Sequence, residues 1–397
     1  MQVCTLCRGA KLLCSKKFCP ILLKLKIREN LVPKIKKEIK GNSPPSIFVG
    51  SYNYPKVFAG PLVPPFSDET EFFDLPEKWS NINLMEFIKI RMSLFHGRKI
   101  EDVSKPPDYL IDFALADKYF ETEIYFEKTP NYSRFFDPVC QPFGPSGIAN
   151  KIIIGNAKWN KYLEKYYFDN RLKAKDAVLL AYKNKVEVSK IQKALSAGAF
   201  GVERKIVPTR WAITTVDSTV SSELIKQLKI FDTLDSYELY FYKNVGFDDI
   251  WLVILIPGEW KYELIEAWYP GTIWNPSKKI EIISSHEFYK GRKTYAEIGG
   301  CYYAARLAVS EFLFSRKRQA GVVILRESHP GYALPAGVWL VRESVREALK
   351  RNPEKVENLK DVFKKIDEKM CIKHREWIMK SEILKNMIHQ KKLVEYL

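Results

Sequence analysis

The sequence predicts an α+β fold, with a mostly antiparallel sheet flanked by helices, a small N-terminal zinc knuckle and a helical C-terminal extension. Alternating apolar and polar residues, typical of strands, occur at 121–128 and repeatedly between 236 and 268. Segments with helical periodicity lie before, between and after these strands. A chain of 397 residues that is 46% hydrophobic is also long enough to bury a substantial core.

Composition limits the classes of protein to consider. No segment approaches the roughly 18 apolar residues of a membrane span, and the first 26 residues intersperse Lys, Arg and Cys, unlike a signal peptide. We therefore expect a cytoplasmic protein with no membrane partner. The net charge of +17 would attract polyanions, of which DNA and RNA are the most common.

The N-terminal segment 1–20 carries a cysteine motif. The cysteines Cys4, Cys7, Cys14 and Cys19 lie within sixteen residues, and paired thiolates at this spacing complete a tetrahedral zinc site. Four thiolates leave no open position, so the predicted zinc is structural. Two disulfides or an iron–sulfur cluster are the alternatives. The scattered Cys140, Cys301 and Cys371 are interpreted as buried apolar residues.

Segment 21–45 reads as a basic arm that ends in a Pro-rich hinge. Residues 1–40 hold eleven Lys or Arg against two Glu, and such an arm can grip phosphates. The candidate nucleic-acid contacts are basic side chains in or near the arm and in the body, namely Lys16, Lys17, Lys24, Lys26, Arg28, Arg210 and Arg318. The alternative for the arm is an amphipathic helix with a solvated basic face.

The body begins with a short strand at 46–50, followed by a helix over 82–95 and a strand at 121–128. The Pro- and Gly-rich segment 130–149 predicts an ordered loop, and helices follow at 157–184 and 186–197. A strand is expected over 206–217, with Asp217 on its apolar face. Strands at 236–243, 249–256 and 259–268 complete this region, and the last places Glu266 on an aromatic face.

The segment 291–352 contains paired Arg and Glu residues. The helical segment 295–314 holds Arg306 and Glu311, and two expected strands, 322–326 and 338–342, each end in Arg followed by Glu. The candidate active-site residues are charged groups that could meet in a phosphate-binding or nucleobase-binding cleft: Asp217, Glu266, Arg306, Glu311, Arg326, Glu327, Arg342 and Glu343. Glu263 is a further carboxylate available for metal binding or acid–base chemistry.

Buried ion pairs that hold strands and helices together are the alternative to a cleft, and we favour them. The sequence contains no Walker loop, GxGxxG or HExxH motif, and its five histidines are isolated in the sequence. Whether the chain catalyses a reaction is therefore left open.

The C-terminal extension is expected to be helical over 354–369 and 373–389 and to carry the octapeptide Gln390–Leu397 clear of the body. In a helical turn, Leu393, Tyr396 and Leu397 form one apolar plug, while Gln390 reaches a polar pocket. The octapeptide resembles the PCNA-interacting peptide that binds the sliding clamp. Leu397 stands where that motif usually has a second aromatic residue, which predicts weaker binding. The alternative is a frayed helix end that packs on the body.

Taken in order, several motifs resemble those of the archaeal Nre family of DNA repair proteins, in the NreA-like form with a clamp-binding tail. They are the cysteine cluster, Ser43–Gly50, Val207–Trp211, Gly299–Leu307, Arg318–Ala320, Arg326–Glu327, Gly337–Trp339, Arg342–Glu343 and the octapeptide. The resemblance implies an N-terminal-type region over 46–290 and a C-terminal-type region over 291–352 packed on it, followed by the extension 353–389 and the peptide 390–397.

The family resemblance implies a DNA damage repair factor that PCNA recruits through the octapeptide and that binds DNA through the basic arm and the Arg-rich segment. A clamp-targeted nuclease, glycosylase or nucleotide-processing enzyme is the first alternative function. An RNA-binding module with an incidental tail is the second.

Overall fold

The computed structural model describes residues 36–80, 82–132, 139–332 and 334–394, together with Cys7 and Cys19. The chain divides into two compact units, which are described separately. The N-terminal unit is built from Leu23–Val220 and Pro335–Val338, and the C-terminal unit mainly from Ser221–Leu334 and Trp339–Leu397.

The N-terminal unit contains a seven-stranded mixed sheet. Its strands are β1 (Glu38–Ser43), β2 (Ile47–Val49), β3 (Lys56–Val63), β4 (Phe95–Asp102), β5 (Phe120–Phe126), β6 (Asn131–Tyr132) and β7 (Pro145–Ile154). The strand order is β1-β5-β7-β4-β3-β2, with β6 paired to β7. Only the pair β4–β7 is parallel within this sheet, and every other pair is antiparallel.

The N-terminal unit also contains six α-helical segments among the described residues. They are α1 (Leu84–Met92), α2 (Asp108–Leu115), α3 (Lys161–Phe168), α4 (Ala174–Lys183), α5 (Val188–Ser196) and the first half of α6 (Thr209–Leu228). Helix α1 begins at a capping box, in which the Asn83 side chain accepts from the Glu86 amide and Glu86 accepts from the Asn83 amide. Helix α2 packs against α5 and against β2 and β3.

The C-terminal unit contains a six-stranded mixed sheet. Its strands are β8 (Tyr237–Asn244), β9 (Asp249–Ile256), β10 (Lys261–Trp268), β11 (Glu281–Glu287), β12 (Gly321–Ser328) and β13 (Glu354–Val356). The order is β11-β10-β12-β9-β8-β13, and only β10–β12 is parallel. Both β9 and β12 are buried along their whole length, as expected for strands covered on two faces.

Helices cover both faces of the C-terminal sheet. Helices α7 (Gly300–Ser315) and α8 (Trp339–Leu349) pack together, and they contact β10 and β8–β9, respectively. The helices α9 (Leu359–Lys369), α10 (His374–Lys380) and α11 (Glu382–Val394) supply the apolar layer on the opposite face. That layer contains Trp377, Ile383 and Leu384 with alternate residues of β9, β10 and β12.

The α+β prediction is confirmed, with two sheets in place of one. The strands expected at 236–243, 249–256 and 259–268 correspond to β8, β9 and β10, and that at 322–326 lies within β12. The ordered loop expected over 130–149 is partly wrong, because β6 and the first half of β7 lie there. Among the described residues, no helix is both long enough and apolar enough to span a membrane.

Two expected strands are helices. The segment 206–217 contributes the start of α6, in which Ala212, Val216 and Val220 are buried at four-residue intervals. That helical spacing outweighs the strand preference of the β-branched residues between them. The segment 338–342 enters α8, where Trp339–Val345 are all buried. This stretch includes Arg342, Glu343 and Ser344, so burial in the helix does not follow the polarity of the sequence.

Candidate functional site

Arg326 lies at the centre of a buried ion-pair cluster in the C-terminal unit. Its Nη1 donates to Glu266 Oε1 at 2.8 Å and its Nη2 to Asp249 Oδ2 at 2.7 Å. The guanidinium also lies 4.8 Å from the ring centroids of both Trp251 and Trp268. Arg326 is only 1% exposed, and its N–H groups donate to these two carboxylates inside the protein.

In this cluster, the single positive charge of Arg326 pairs with two carboxylates, those of Asp249 and Glu266. Burial raises the pKa of Asp249 and of Glu266, and the charge of Arg326 offsets that effect only in part. Burial by itself would lower the pKa of Arg326, but the two carboxylates outweigh it and raise the pKa. The cluster is a structural ion pair and not a cleft for phosphate.

Arg306 belongs to a second buried pair. Its Nη1 donates to Glu287 Oε2 at 2.9 Å, and its Nε donates to Ser221 Oγ at 3.1 Å. Trp260 Nε1 donates to the other oxygen of Glu287 at 3.0 Å. These contacts join α7, β11 and the second half of α6 within the C-terminal unit.

A third group of charged residues, four in number, joins α7 to α8. Arg346 donates to Glu311 at 2.8 Å and to Glu343 at 2.9 Å, and Arg342 donates to Glu343 at 3.3 Å. The expectation that Arg342 ends a strand is wrong, because it lies inside α8 and is buried. Arg342 and Arg326 are therefore not equivalent ends of two strands.

Successive side chains of β12 point to opposite faces of the sheet, so Arg326 and Glu327 lie on different faces. Glu327 faces the layer of α9–α11, where its carboxylate accepts from the backbone amides of Cys371 at 3.2 Å and Ile372 at 2.8 Å. The interpretation of Cys371 as buried is wrong, because it is exposed. Within the C-terminal unit the candidates therefore fall into separate groups: Glu266 pairs with Arg326, Arg306 pairs with Glu287, and Glu311, Arg342 and Glu343 gather around Arg346.

Sequence reasoning missed a polar pocket in the N-terminal unit. Asp74 at the end of a short 3₁₀ turn accepts from Arg91 Nη1 at 2.6 Å and from Ser46 Oγ, and Lys193 Nζ lies 3.4 Å from it. The pocket has a volume of about 30 Å³, enough for water-sized groups, and Gln141 and Gln192 also line it.

The electrostatics of this pocket depend on Asp74. Burial opposes its ionisation, but Lys193 and Arg91 together lower the pKa of Asp74 below its ordinary value. Burial lowers the pKa of Lys193 and of Arg91, against the attraction of Asp74. All three groups are buried, so the pocket is a site where charges are held with little screening by water.

Two of the motifs noted in the sequence meet beside this pocket. The Val49 amide, from the Ser43–Gly50 motif, donates to Thr209 Oγ1 at 2.8 Å, and Thr209 begins α6 in the Val207–Trp211 motif. The apolar surroundings of Ser46 and Thr209 were the only sequence signal for a pocket. Asp74, Arg91 and Lys193 are far apart in the chain, so the sequence gives no sign that they meet.

Asp217 and Arg210, both in α6, lie near this part of the N-terminal unit. Asp217 is fully buried and accepts from Gln192 Nε2 at 2.9 Å, so it supports a residue that lines the pocket. Arg210 is half-buried. The other body candidate, Arg318, is partly exposed in the C-terminal unit and lies 4.0 Å from Asp232.

An exposed aromatic pair lies on the surface of the N-terminal unit. The rings of Tyr54 and Trp211 are 5.3 Å apart, and their exposed fractions are 49% and 44%. Lys205 lies nearby: Glu203 mainly, and Tyr54 to a smaller extent, raise the pKa of Lys205. Tyr52 is also exposed. Aromatic faces beside cations are the usual surface for stacking unpaired bases.

Helix α11, which leads to the C-terminal octapeptide, is fixed at its start. The buried Glu263 of β10 accepts from Ser381 Oγ, from the Glu382 amide at 2.9 Å and from the Ile383 amide at 3.1 Å. Ser381 Oγ accepts in turn from the Leu384 amide at 2.9 Å. Glu263 is therefore a helix-capping residue and not a free carboxylate for catalysis.

The remaining predicted binding residues lie wholly or partly outside the described residues. Helix α11 continues through Val394, which includes the backbone of Gln390 and Leu393, while Tyr396 and Leu397 lie outside. Cys7 is buried and Cys19 half-buried, whereas Cys4 and Cys14 lie outside. The arm residues Lys16, Lys17, Lys24, Lys26 and Arg28 also lie outside.

Two family models match most of the chain. The model described as archaeal Nre, N-terminal, matches residues 13–275, and the model described as archaeal Nre, C-terminal, matches residues 287–396. No solved structure shows significant similarity to the chain.

Curated relatives match over nearly the same length. The chain is 40% identical to DNA repair protein NreB of Archaeoglobus fulgidus, over 96% of this chain and 97% of the relative. It is 35% identical to DNA repair protein NreA of the same organism, over 94% and 95% of the two chains. It is 34% identical to DNA repair protein NreA of Haloferax volcanii, over 83% of this chain and 82% of the relative.

Proposed function

The chain belongs to the archaeal Nre family, and on that premise we propose that it is a DNA damage repair factor recruited by the PCNA sliding clamp. The octapeptide Gln390–Leu397 binds the clamp in this proposal, while the basic arm and an aromatic surface bind DNA. The observation that carries the repair role is the near full-length similarity to three proteins named as DNA repair proteins.

The anchoring of α11 supports the clamp part of the proposal. Glu263 caps the first turn, and Ile383 and Leu384 are buried in the core of the C-terminal unit. A short peptide that follows a fixed helix loses less conformational freedom on binding than one at the end of a loose linker. The Gln, Leu, Tyr and Leu at 390, 393, 396 and 397 match the helix-in-groove mode of recognition.

Isothermal titration calorimetry of the cognate sliding clamp tests this part. Full-length protein should bind with a Kd of about 1 μM or tighter, roughly −8 kcal/mol. A protein ending at His389 retains the buried residues of α11 and should not bind. Tyr396→Ala should weaken binding at least tenfold, whereas the matched change Glu395→Ala should not. Equal binding by full-length and truncated protein would refute recruitment through the octapeptide.

The Tyr54–Trp211 pair supports binding of single-stranded or unpaired DNA. Stacking on one aromatic side chain contributes about 1–3 kcal/mol per base, so Trp211→Ala should reduce affinity for a fluorescent oligonucleotide by about 5-fold to 150-fold. Trp274 is exposed to a similar extent and provides the matched control as Trp274→Ala. Equal loss in both variants would contradict a specific surface at Trp211.

We also propose that the four N-terminal cysteines hold a structural zinc. Cys4, Cys7, Cys14 and Cys19 supply four thiolates, the ligand set of closed zinc sites. Chelation should then destabilise the N-terminal segment and leave the octapeptide competent to bind the clamp. Unchanged protease resistance of the first 20 residues after chelation and zinc removal would refute a structural role.

A clamp-targeted enzyme is the second candidate, and the polar pocket around Asp74 favours it. Lys193, Arg91 and Asp74 are buried charges beside a cavity, an arrangement that recurs in active sites. The variant Gln141→Ala tests this, because it changes the lining of the pocket around Asp74 without removing a charged side chain. A variant that folds, binds DNA and binds the clamp but fails to complement a deletion of the gene would support catalysis.

A further inference from the structure

Glu327, His329 and Cys371 form a cluster of three potential metal ligands in the C-terminal unit. Each offers one ligand atom, and the three atoms lie within 4.8 Å of one another. Glu327 is the second-last residue of the buried strand β12, His329 directly follows that strand, and Cys371 lies between α9 and α10. The sequence places Cys371 more than forty residues after the other two, so only the fold brings them together.

The carboxylate of Glu327 is completely buried and has no strong cation beside it. Among the described residues, no Lys or Arg lies within ion-pairing distance of Glu327, and the side chains next to its carboxylate are His329 and Cys371. Its other contacts are the two backbone amides of Cys371 and Ile372. Buried carboxylates are normally paired with a cation or bound to a metal, and Glu327 has no Lys or Arg partner among the described residues.

The spacing of the cluster fits tetrahedral coordination. His329 Nε2 and Glu327 Oε2 are 3.3 Å apart. With zinc–nitrogen and zinc–oxygen bonds of about 2.0–2.2 Å, a tetrahedral angle separates the two ligand atoms by about 3.3–3.5 Å. The observed distance therefore leaves room for a zinc ion between the two atoms with little movement of either side chain.

The surroundings hold the ligands in place. The ring of His329 stacks on Tyr269 with a centroid distance of 4.2 Å, and its backbone amide donates to Asp248 at 3.0 Å. The Cys371 thiol lies within hydrogen-bonding range of Glu327 and of the Tyr269 hydroxyl, and Lys243 is the cation near it. Fixed ligand orientation is what outer contacts provide in metal sites.

We propose that Glu327, His329 and Cys371 bind a divalent transition metal, zinc in preference, separate from the four-cysteine motif. A thiolate, an imidazole and a carboxylate are ligands that zinc accepts, whereas Mg²⁺ and Ca²⁺ select oxygen ligands. Three protein ligands leave the fourth position open, which is the arrangement of zinc sites that bind water or substrate. Binding releases the proton of the Cys371 thiol to solvent.

Metal content of the full-length protein tests the proposal. Wild-type protein, Cys371→Ser and His329→Ala are incubated with zinc, freed of excess ion by gel filtration, and measured by mass spectrometry of the metal. Each variant should hold about one zinc per chain less than wild type, because two ligands retain zinc poorly. Since all three proteins share the N-terminal cysteines, the difference isolates the second site.

Two matched controls separate ligation from general loss of a Cys or His. Cys301→Ser and His389→Ala remove a cysteine and a histidine outside the cluster, and both should retain the wild-type zinc content. Equal zinc content in wild type, Cys371→Ser and His329→Ala would overturn the proposal. So would equal loss in the two control variants.

Cobalt(II) and thermal unfolding provide readouts that a merely structural hydrogen-bond cluster would not affect. Cobalt should give a thiolate-to-metal absorption band that is weaker in Cys371→Ser than in Cys301→Ser. The melting temperature of the wild type should rise with zinc by more than that of Cys371→Ser. If both proteins gave the same cobalt band and the same zinc-dependent shift, the three residues would serve only to fix the loop before α10.

Discussion

Replacing Arg326 by Met tests whether the buried cluster is structural. Met has a similar length and no charge, so Arg326→Met fills most of the space and leaves Asp249 and Glu266 without their cation. Both carboxylates are fully buried, and the variant cannot expose them without opening the sheet between β9, β12 and β10. The expected result is a large loss of stability.

The size of the loss follows from the cost of an uncompensated carboxylate. Removing one partner of a buried ion pair costs about 3–5 kcal/mol. A carboxyl group with an ordinary pKa near 4 can instead be protonated in the folded state, which costs about 1.4 kcal/mol per pH unit, or roughly 4 kcal/mol at pH 7. The second figure applies to each carboxyl, so we expect the free energy of unfolding to fall by at least about 4 kcal/mol at pH 7, the cost when one of the two is protonated.

The pH dependence of Arg326→Met has a definite sign. Without the guanidinium, the pKa of Asp249 and of Glu266 in the folded state rises further above the unfolded value, so the folded variant binds more protons. Its free energy of unfolding should therefore increase as the pH falls from 7 to 5. The gain is about 2.7 kcal/mol for each carboxyl that becomes protonated.

Urea unfolding at pH 5, 6 and 7, followed by far-UV circular dichroism, measures both effects. Arg318→Met is the matched control, because Arg318 is partly exposed and its partner Asp232 is almost fully exposed. The control should change stability by less than about 0.5 kcal/mol. A loss below 1 kcal/mol in Arg326→Met, or a loss that does not depend on pH, would refute the structural interpretation.

Three further changes have definite expected outcomes. Ser381→Ala removes one of the two side chains that cap α11, leaving Glu263, and should cost about 1–2 kcal/mol in urea unfolding, with clamp affinity retained. Burial lowers the pKa of His96 to about 3. Wild-type stability should therefore fall by up to about 1.4 kcal/mol per unit as the pH drops below 6.5, and His96→Phe should flatten that slope. Gly337 has a φ of +99° and lies against the Val139 carbonyl, so Gly337→Ala should cost about 1–3 kcal/mol, measured by its melting temperature.

Periodicity predicted the elements of the C-terminal sheet well and failed at α6 and α8. Strands β8, β9 and β10 alternate or run apolar over eight residues each between turn signals, which is enough to assign them. Helix α6 begins with Thr, Trp, Ile and Val, whose side chains favour strands in isolation. Only the burial of Ala212, Val216 and Val220 on one side explains the helix, and burial is a tertiary property.

The charged residues of the site were harder to place than the elements. Arg326 and Glu266 could be named from sequence because each is a charged residue within a largely apolar strand. Asp249, the stronger partner of Arg326, follows a turn at the start of β9 and resembles an ordinary surface residue in the sequence. The same holds for Asp74 and Lys193, which meet only because α5 packs beside the turn that carries Asp74.

The placement of the charges also limits where a polyanion can bind. Arg306, Arg326 and Arg346 each contact a carboxylate inside the C-terminal unit, so they add little to its attraction for DNA. The first 40 residues hold eleven Lys or Arg against two Glu, a surplus of nine in a chain whose net charge is +17. More than half of the net positive charge thus belongs to the arm and the cysteine motif. Affinity that depends on salt should arise mainly there, while the Tyr54–Trp211 surface adds a contribution that salt does not screen.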